Sequence, residues 1–482
     1  MNAIHCSTLS SAPLFTPPPP LFTHMCGPLC SHMCASGHWR IKPLAPAVCK
    51  VTYCGQAEVG GKIPRAILNT QIRSTLTGLN LTVDKFERKN IEVDAEMRGS
   101  FPTPPLLSLL AEDQISIINS CQALESSSSP SSSSSSWERL KSPSPFVVMY
   151  MQHATPLKGT RSAALGLAKA DVDCGAREAL AWYFQYCSRL RSKGSLEDGD
   201  PARLIVRESA PHDVVFTTIK KMQFPLFNRE FVGREICATD NNGDFILACQ
   251  PTDDVVDYGS SMITVRGLSQ AFLRFSPIEA SHGGQTHVAF YQYLDVGGVV
   301  PVSIVNKNIP SALAGLIRLR VVFQRDEEID STERSSLAAI FDKEQSYSEE
   351  ENKHLKYVTS KIGTRQWEDF EELESFDDYV RMGKIYINGE SSGVGRASTV
   401  VDASVGECAA WENAKYSREK AAIKHQAGRG ESTLSERNGH TSIYRTVINF
   451  DIPGLKPREF VQVRATHTHT HTPGPHVISP LF

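Results

Sequence analysis

GLAKADVDCGAREALAWYFQYCSR, Gly166 to Arg189, is written a second time as GRASTVVDASVGECAAWENAKYSR, Gly395 to Arg418. An offset of 229 positions (166 to 395) carries Asp173 onto Asp402, Trp182 onto Trp411 and Arg189 onto Arg418 without a gap. The register holds as far as FPLFNREFV, Phe224 to Val232, whose last four residues return as Arg458 to Val461. A match that keeps register over that distance marks two copies of one folding unit. Its period is far longer than the roughly 20–50 residues of a solenoid repeat, so the chain is a tandem of domains.

The unit extends outward on both sides of this block. Trp137 opens WERLKSPSPFVVM, and Trp367 opens its echo, WEDFEELESFDDYVRM. A helix is expected before each, over Leu106 to Leu124 and Ser348 to Lys361. Strands are expected at Val147 to Met149 and Val380 to Met382, then at Ala163 to Asp173. A helix from Glu178 to Arg191 follows, with Leu180, Phe184 and Cys187 on one face. Extended runs come next, at Arg203 to Glu208, Val214 to Lys221, Glu230 to Cys237 and Asp244 to Gln250. Asp240-Asn241-Asn242-Gly243 is a hairpin turn, because Asn and Gly accept positive φ. Strands over Ser260 to Phe275 and Thr286 to Leu294 complete an antiparallel meander. The last element is a helix from about Ile309 to Arg325, with Ser311 beside Pro310 as its start signal. Ile309, Ala312, Leu313, Leu316, Leu319 and Phe323 share its apolar face. Arg320 falls on that face too, either snorkelling to water on a packed stem or meeting the polar group of a ligand.

Composition narrows the function classes. At 482 residues the chain has room for two to three domains. A formal net charge of −3, without a Lys/Arg stripe interleaved with aromatics, argues against a nucleic-acid partner. No window of about 18–20 apolar residues offers a membrane span. The start MNAIHCSTLS lacks the basic and apolar segments of a secretory signal, so a cytoplasmic place is expected, with reduced cysteines. Cys26, Cys30, Cys34 and His38 fall at four-residue steps, but Cys49 and Cys54 do not complete a zinc pattern, so no metal is expected.

In the first copy FPLFNREFV, the hairpin, Val265-Arg266-Gly267, Asp295 to Pro301 (D-x-G-G-x-x-P), Asn306 and a terminal helix occur in an order that resembles a START domain. That is the lipid-transfer module related to the steroidogenic acute regulatory protein. The resemblance covers about 145–330 fully and 367–464 in part, where PGLKPREFV (Pro453 to Val461) is the same element. It implies an α+β helix-grip fold: a bent antiparallel sheet wrapped around a long C-terminal helix, enclosing an apolar tunnel. It further implies a lipid or sterol ligand, transient contact with a membrane surface, no cofactor and no catalytic residue. Arg189, Arg229, Leu313, Leu316, Arg320 and Phe323 are the implied ligand contacts. Gly297, Gly298 and Pro301 form the hinge of the gating helix, or else only a tight strand-to-helix corner. Phosphatidylcholine-binding members follow the arginine at the end of the first long helix with Trp-Asp. Arg189 and Arg418 stand at about that place here without that pair. A lipid-sensing adaptor is the alternative reading. A cyclase-type enzyme on the same fold is a third, with His212 and His440 as candidates on turn edges, one residue out of the repeat register, and His282 and His287 read as solvated beside a Gly-Gly loop. Oligomeric state has no signal in the sequence.

The expected organisation is an uncharacterised or disordered leader (1–104), a helix plus poly-Ser linker (105–139), a complete START-like domain (140–335), a linker helix (336–366), an incomplete START-like domain (367–464) and a low-complexity tail (465–482). The second copy is read as incomplete because Val461 is followed by QVRATHTHTHTPGPH rather than by strands and a terminal helix.

Overall fold

The computed structural model describes residues 33–59, 65–126, 137–154, 163–278, 284–298, 300–341, 347–358, 360, 366–386, 393–414, 416–426, 432–437, 441–448, 456, 458–467 and 477–481. They fall into two compact units, residues 1–100 and 101–482. The proline run at 17–20, Cys26, Cys30, most of the poly-Ser stretch, His282, His440, His469 and His471 lie outside the described residues.

Of the leader expected to be uncharacterised or disordered, residues 33–59 and 65–99 take largely regular secondary structure. Strands β1 (Met33–Ala45) and β2 (Val48–Val59) form an antiparallel hairpin, followed by helices α1 (Arg65–Lys85) and α2 (Asn90–Gly99). Trp39 and Tyr53 pair across the hairpin with ring centroids 4.5 Å apart, a cross-strand contact of the kind that fixes register. The readable signal was Trp39, Ile41, Val51 and Tyr53 alternating on either side of Pro46-Ala47. Cysteine spacing obscured it. Among the described residues no group of three or more metal-ligating side chains comes together.

The second unit opens with α3 (Glu112–Ser126), then runs β3 (Glu138–Leu140), β4 (Val148–Ala154), β5 (Ala163–Val172), α4 (Ala176–Phe184), α5 (Arg189–Glu197), β6 (Ala202–Ala210), β7 (Asp213–Lys220), β8 (Asn228–Thr239) and β9 (Phe245–Pro251). Next come β10 (Thr264–Arg266), β11 (Leu268–Ile278), β12 (Gln285–Asp295), α6 (Val302–Leu313), α7 (Gly315–Val322) and α8 (Asp326–Phe341). The strands make one sheet in the order β3-β4-β5-β12-β11-β9-β8-β7-β6, antiparallel except where short β10 pairs in parallel with β8. Strand alternation gives the sheet two apolar faces. One is covered by α3, whose Ile118 and Cys121 meet Ile236, Ala238, Ile246, Ala248 and Phe272. The other holds α4, α6 and α7, with Val305, Ile309, Leu313, Leu316 and Leu319 all buried in it. This is the helix-grip arrangement: an antiparallel sheet closed by its terminal helix.

Three element boundaries differ from expectation. The helix expected over 178–191 is two helices, because Arg191 folds back and donates to the carbonyls of Trp182 and Tyr183 at the end of α4. Those carbonyls have no intrahelical partner, so a returning cation both satisfies them and suits the helix dipole. The strand expected over 260–275 begins later and is split at Gly267, where a Cβ would lie 2.4 Å from the Phe231 ring. The terminal helix begins at Val302 with Pro301 as its cap, not near Ile309, and Pro310 lies inside it. Proline there leaves the Asn306 carbonyl without its donor and crowds the preceding turn. The helix then breaks at Ala314 before α7 resumes.

The second copy contributes α9 (Glu349–Val358), β13 (Glu371–Leu373), β14 (Arg381–Tyr386), β15 (Gly393–Ser398), α10 (Val405–Asn413) and α11 (Arg418–Gln426). It ends with β16 (Ser432–Arg437), β17 (Thr441–Ile448), β18 (Arg458–His467) and β19 (Val477–Leu481). Its strands form two separate sheets, β13-β14-β15 and β16-β17-β18-β19.

Candidate functional site

The concave face of the large sheet is not covered evenly. β5 turns Ala164, Gly166, Ala168 and Ala170 towards the terminal helix, and a Cβ on Gly166 would lie 3.1 Å from both Ile309 and Leu313. Small side chains let the helix approach, so α6 and α7 lie against β5, while α4 covers β9, β11 and β12. Alternation puts Arg203, Ile205, Val214, Phe216, Phe231 and Glu235 on the same face of β6, β7 and β8. Two cavities of about 760 and 520 Å³, against Val321 to Ser331 and Glu372 to Met382, are open surface grooves away from this face.

On that half lies a polar cluster the sequence reading missed. Arg191 stands 4.7 Å over the Trp182 ring and 5.1 Å over that of Tyr186. Arg203 stacks 3.6 Å over the Tyr186 ring and donates from Nε to the Tyr186 carbonyl at 2.7 Å. Glu235, only 6% exposed, faces both arginines. Burial pushes its carboxyl up to about 8, while the charges of Arg191 and Arg203 pull the other way. Burial likewise lowers Arg191 to about 10, with the neighbouring charge of Arg203 adding to the effect. The Tyr183 hydroxyl, held far above its ordinary range by burial, is sensitive to Arg191 and Glu235. Tyr183 Oη, Arg203 Nη2 and Glu235 Oε2 are all buried without a hydrogen-bond partner. Such groups are rare in folded proteins because each costs its desolvation energy.

The residues expected at the site fall elsewhere in part. Arg189 is exposed at the start of α5, and the arginine two positions on, Arg191, is the one that reaches the cluster. Arg229 is buried but spent on the backbone, donating to the carbonyls of Val296 and Phe227. It pins the start of β8 to the turn after β12. Leu313 and Leu316 are fully buried core residues, and Phe323 packs at the edge of the same core. Arg320 is buried, paired with Asp326 at 2.7 Å and lying 3.8 Å over the Phe146 ring. Gly297 and Gly298 have φ of 72° and 68°, and a Cβ on Gly297 would lie 2.2 Å from the Arg266 carbonyl oxygen. Glycine is therefore required there by the corner between β12 and α6, which Pro301 completes. His287 pairs with Asp171 at 2.7 Å on the exposed rim, and His212 lies 3.5 Å from Gln114 at a turn.

One end of the sheet, at the start of β8, carries an exposed apolar rim. Phe224 is 97% exposed, and Phe227 and Ile263 are also exposed. β10 pairs Thr264 with Asn228, so Ile263 and Phe227 adjoin. The Arg229 bond to Val296 draws the corner before α6 to the same end.

No family model and no curated protein matches the chain. Among solved structures, human StAR-related lipid transfer protein 5 is 13% identical, covering 46% of this chain and 99% of that one with a TM-score of 0.35. The lipid transfer and protein localization domain of human StarD13 (DLC2) is 16% identical over 45% of this chain and 99% of its own, with a TM-score of 0.32. A STAR-related lipid transfer protein from Xanthomonas axonopodis is 13% identical over 40% of this chain and 100% of its own, with a TM-score of 0.31. Over 40–46% of its length the chain is similar to START-related lipid-transfer domains.

Proposed function

We propose that residues 137–323 hold a single lipid or sterol on the concave face, its polar group meeting Tyr183, Arg203 and Glu235 and its apolar body lying along Ile205, Val214, Phe216 and Phe231. The observation that carries this reading is that three side chains grouped around Arg191, those of Tyr183, Arg203 and Glu235, each hold a buried, unpartnered polar atom beside apolar side chains. A ligand hydroxyl, carboxylate or phosphate would satisfy them, and each methylene withdrawn from water adds about 0.8 kcal/mol. The cluster belongs to the first copy alone, since Glu412, Ser432 and Arg464 stand at the equivalent positions of the second. The cluster shows no nucleophile hydrogen-bonded to a base, which favours a carrier over an enzyme. The terminal helix packs tightly on β5, so entry requires α6 and α7 to lift, and the rim of Phe224, Phe227 and Ile263 beside them is suited to resting on a membrane surface during exchange.

Native mass spectrometry of the full chain purified from cells, followed by lipid extraction, tests this. One lipid per chain is expected, with occupancy lost in Arg203→Leu and Glu235→Leu. Phe224→Ser with Phe227→Ser should keep occupancy while slowing movement of lipid between vesicles in a dilution assay. A chain that carries no lipid and takes none from vesicles of phosphatidylcholine, cholesterol or ceramide would remove the proposal. Occupancy without any transfer would favour a lipid-sensing adaptor.

A further inference from the structure

The repeated motif contains Asp173 and Arg189 in the first copy and Asp402 and Arg418 in the second. The structure pairs Arg418 of the second copy with Asp173 of the first. Arg418, the first residue of α11, donates from Nη2 to Asp173 Oδ1 at 2.8 Å, from Nη1 to the other Asp173 oxygen, and from Nη1 to Asp326 Oδ1 at 2.8 Å. Asp173 is buried at the end of β5 and also accepts from Gln285 of β12 and from the backbone N–H of Arg325, between α7 and α8. Asp326 is shared, because it also binds Arg320 of α7. One turn further along α8, the buried Asp330 accepts from the backbone N–H groups of Arg418 and Glu419, each at 2.9 Å. Those N–H groups open α11 and have no intrahelical acceptor. Leu337 and Phe341 of α8 then bury Ala409, Ala410 and Ala414 of the second copy.

We propose that the second copy is a clamp on the terminal helix of the first, holding α7 and α8 down through Arg418 and Asp330 and so slowing the opening of the concave face. Arg325 to Asp173 ties the end of that helix to the sheet, Asp326 and Asp330 tie it to Arg418 and Glu419 of the second copy, and Arg418 also holds Asp173. The network is charge-assisted and largely buried, the kind whose loss is felt. Its consequence for exchange rests on the lipid-binding reading, but its effect on the helix does not.

Hydrogen exchange on the full chain separates the two. In Arg418→Ala, amides of 302–322 and 326–341 should exchange roughly ten-fold faster or more, with those of β7 and β9 unchanged. Asp330→Asn, which keeps shape but loses the charge on the α11 N-terminus, should move the same peptides less. Arg418→Lys should recover part of the protection. Unchanged protection over 302–322 in Arg418→Ala would overturn the clamp, and so would an equal loss across β7 and β9, which would make the contact a general structural one. With fluorescent sterol vesicles, the same variant should load and release faster. A clamp seen by exchange with no sterol uptake in any variant, including the unaltered chain, would count against sterol cargo and leave the clamp standing.

Discussion

Glu235 is the residue whose chemistry is most exposed to test. Its carboxyl is held near 8 in the folded chain and returns to its ordinary value of 4.5 when the chain unfolds. Between those values the folded form binds more protons than the unfolded form, so stability falls as pH rises through the window and levels off above it. Asp173 and Asp213 are shifted the other way by their hydrogen bonds, despite burial, and titrate below that window. Glu235→Gln keeps the volume and removes the titration. Urea midpoints measured from pH 5 to 8 should decline for the unaltered chain and stay flat for the variant, which should be the more stable at pH 8. A parallel decline in both would mean another group dominates. The site itself was only half legible. Repetition drew the reading to Arg189 and Arg229, yet repeated residues are those that both copies need for folding. Arg191 carries no repeat signal because its counterpart is Lys420, although Lys420 likewise returns to the last turn of α10, donating to the Trp411 carbonyl and standing 4.3 Å over that ring. Glu235 had a signal in the period-2 alternation of β8, which sets it inward with Phe231, Gly233 and Cys237.

At the scale of elements, the sheet was readable and the helices were less so. Alternation and the Asp240-to-Gly243 turn located β6 to β9 to within two residues at each end, with Gly243 at φ 86° and Asp240 accepting from the amides of Asn242 and Asp244. The terminal helix was placed too late because Pro310 resembles a start, while Val305, one turn before Ile309, already continued the apolar stripe. Tertiary packing overrides proline there: the buried stripe from Val305 to Leu319 holds the helix through its weak point. That packing depends on the bare backbone at Gly166. Gly166→Val would push its new methyl groups into Ile309 and Leu313, which are already 3.1 Å from where a Cβ would sit. A loss of about 1–3 kcal/mol is expected from overpacking. It should appear as a lower urea midpoint with an unchanged slope, and as faster exchange in 302–322. A neutral effect would show that the helix is free to rise from β5 at little cost.

Across the whole molecule the two copies share a sequence pattern but not an equal structure, and the difference follows from what surrounds each. In the first copy β5 pairs with β12, and β8 with β9, so strands between them join the two halves of the sheet. Among the described residues of the second copy, nothing bridges its two sheets. Val172 is fully buried, whereas its counterpart Val401 is 61% exposed. Register loosens as well. Thr217 faces Val232 in the first copy, but Thr446 faces Phe460 in the second, one residue away from the matching pair. A strand slips in this way when neither face is committed to a core, because a one-residue shift exchanges the two faces. Among the described residues, the buried cluster of the second copy, Ala409, Ala410 and Ala414, packs on Leu337 and Phe341 of α8, outside its own repeat. Residues 366–464 expressed alone, without α8, should therefore give a broad, non-cooperative urea transition and bind a hydrophobic dye. The full chain should unfold with a sharp transition for its first copy. A sigmoidal transition of the isolated fragment, with a slope of roughly 1 kcal/mol per molar urea or more, would show that it folds unaided. In that case the contacts with α8 would be a docking of two finished domains, and the second copy could leave the first without unfolding.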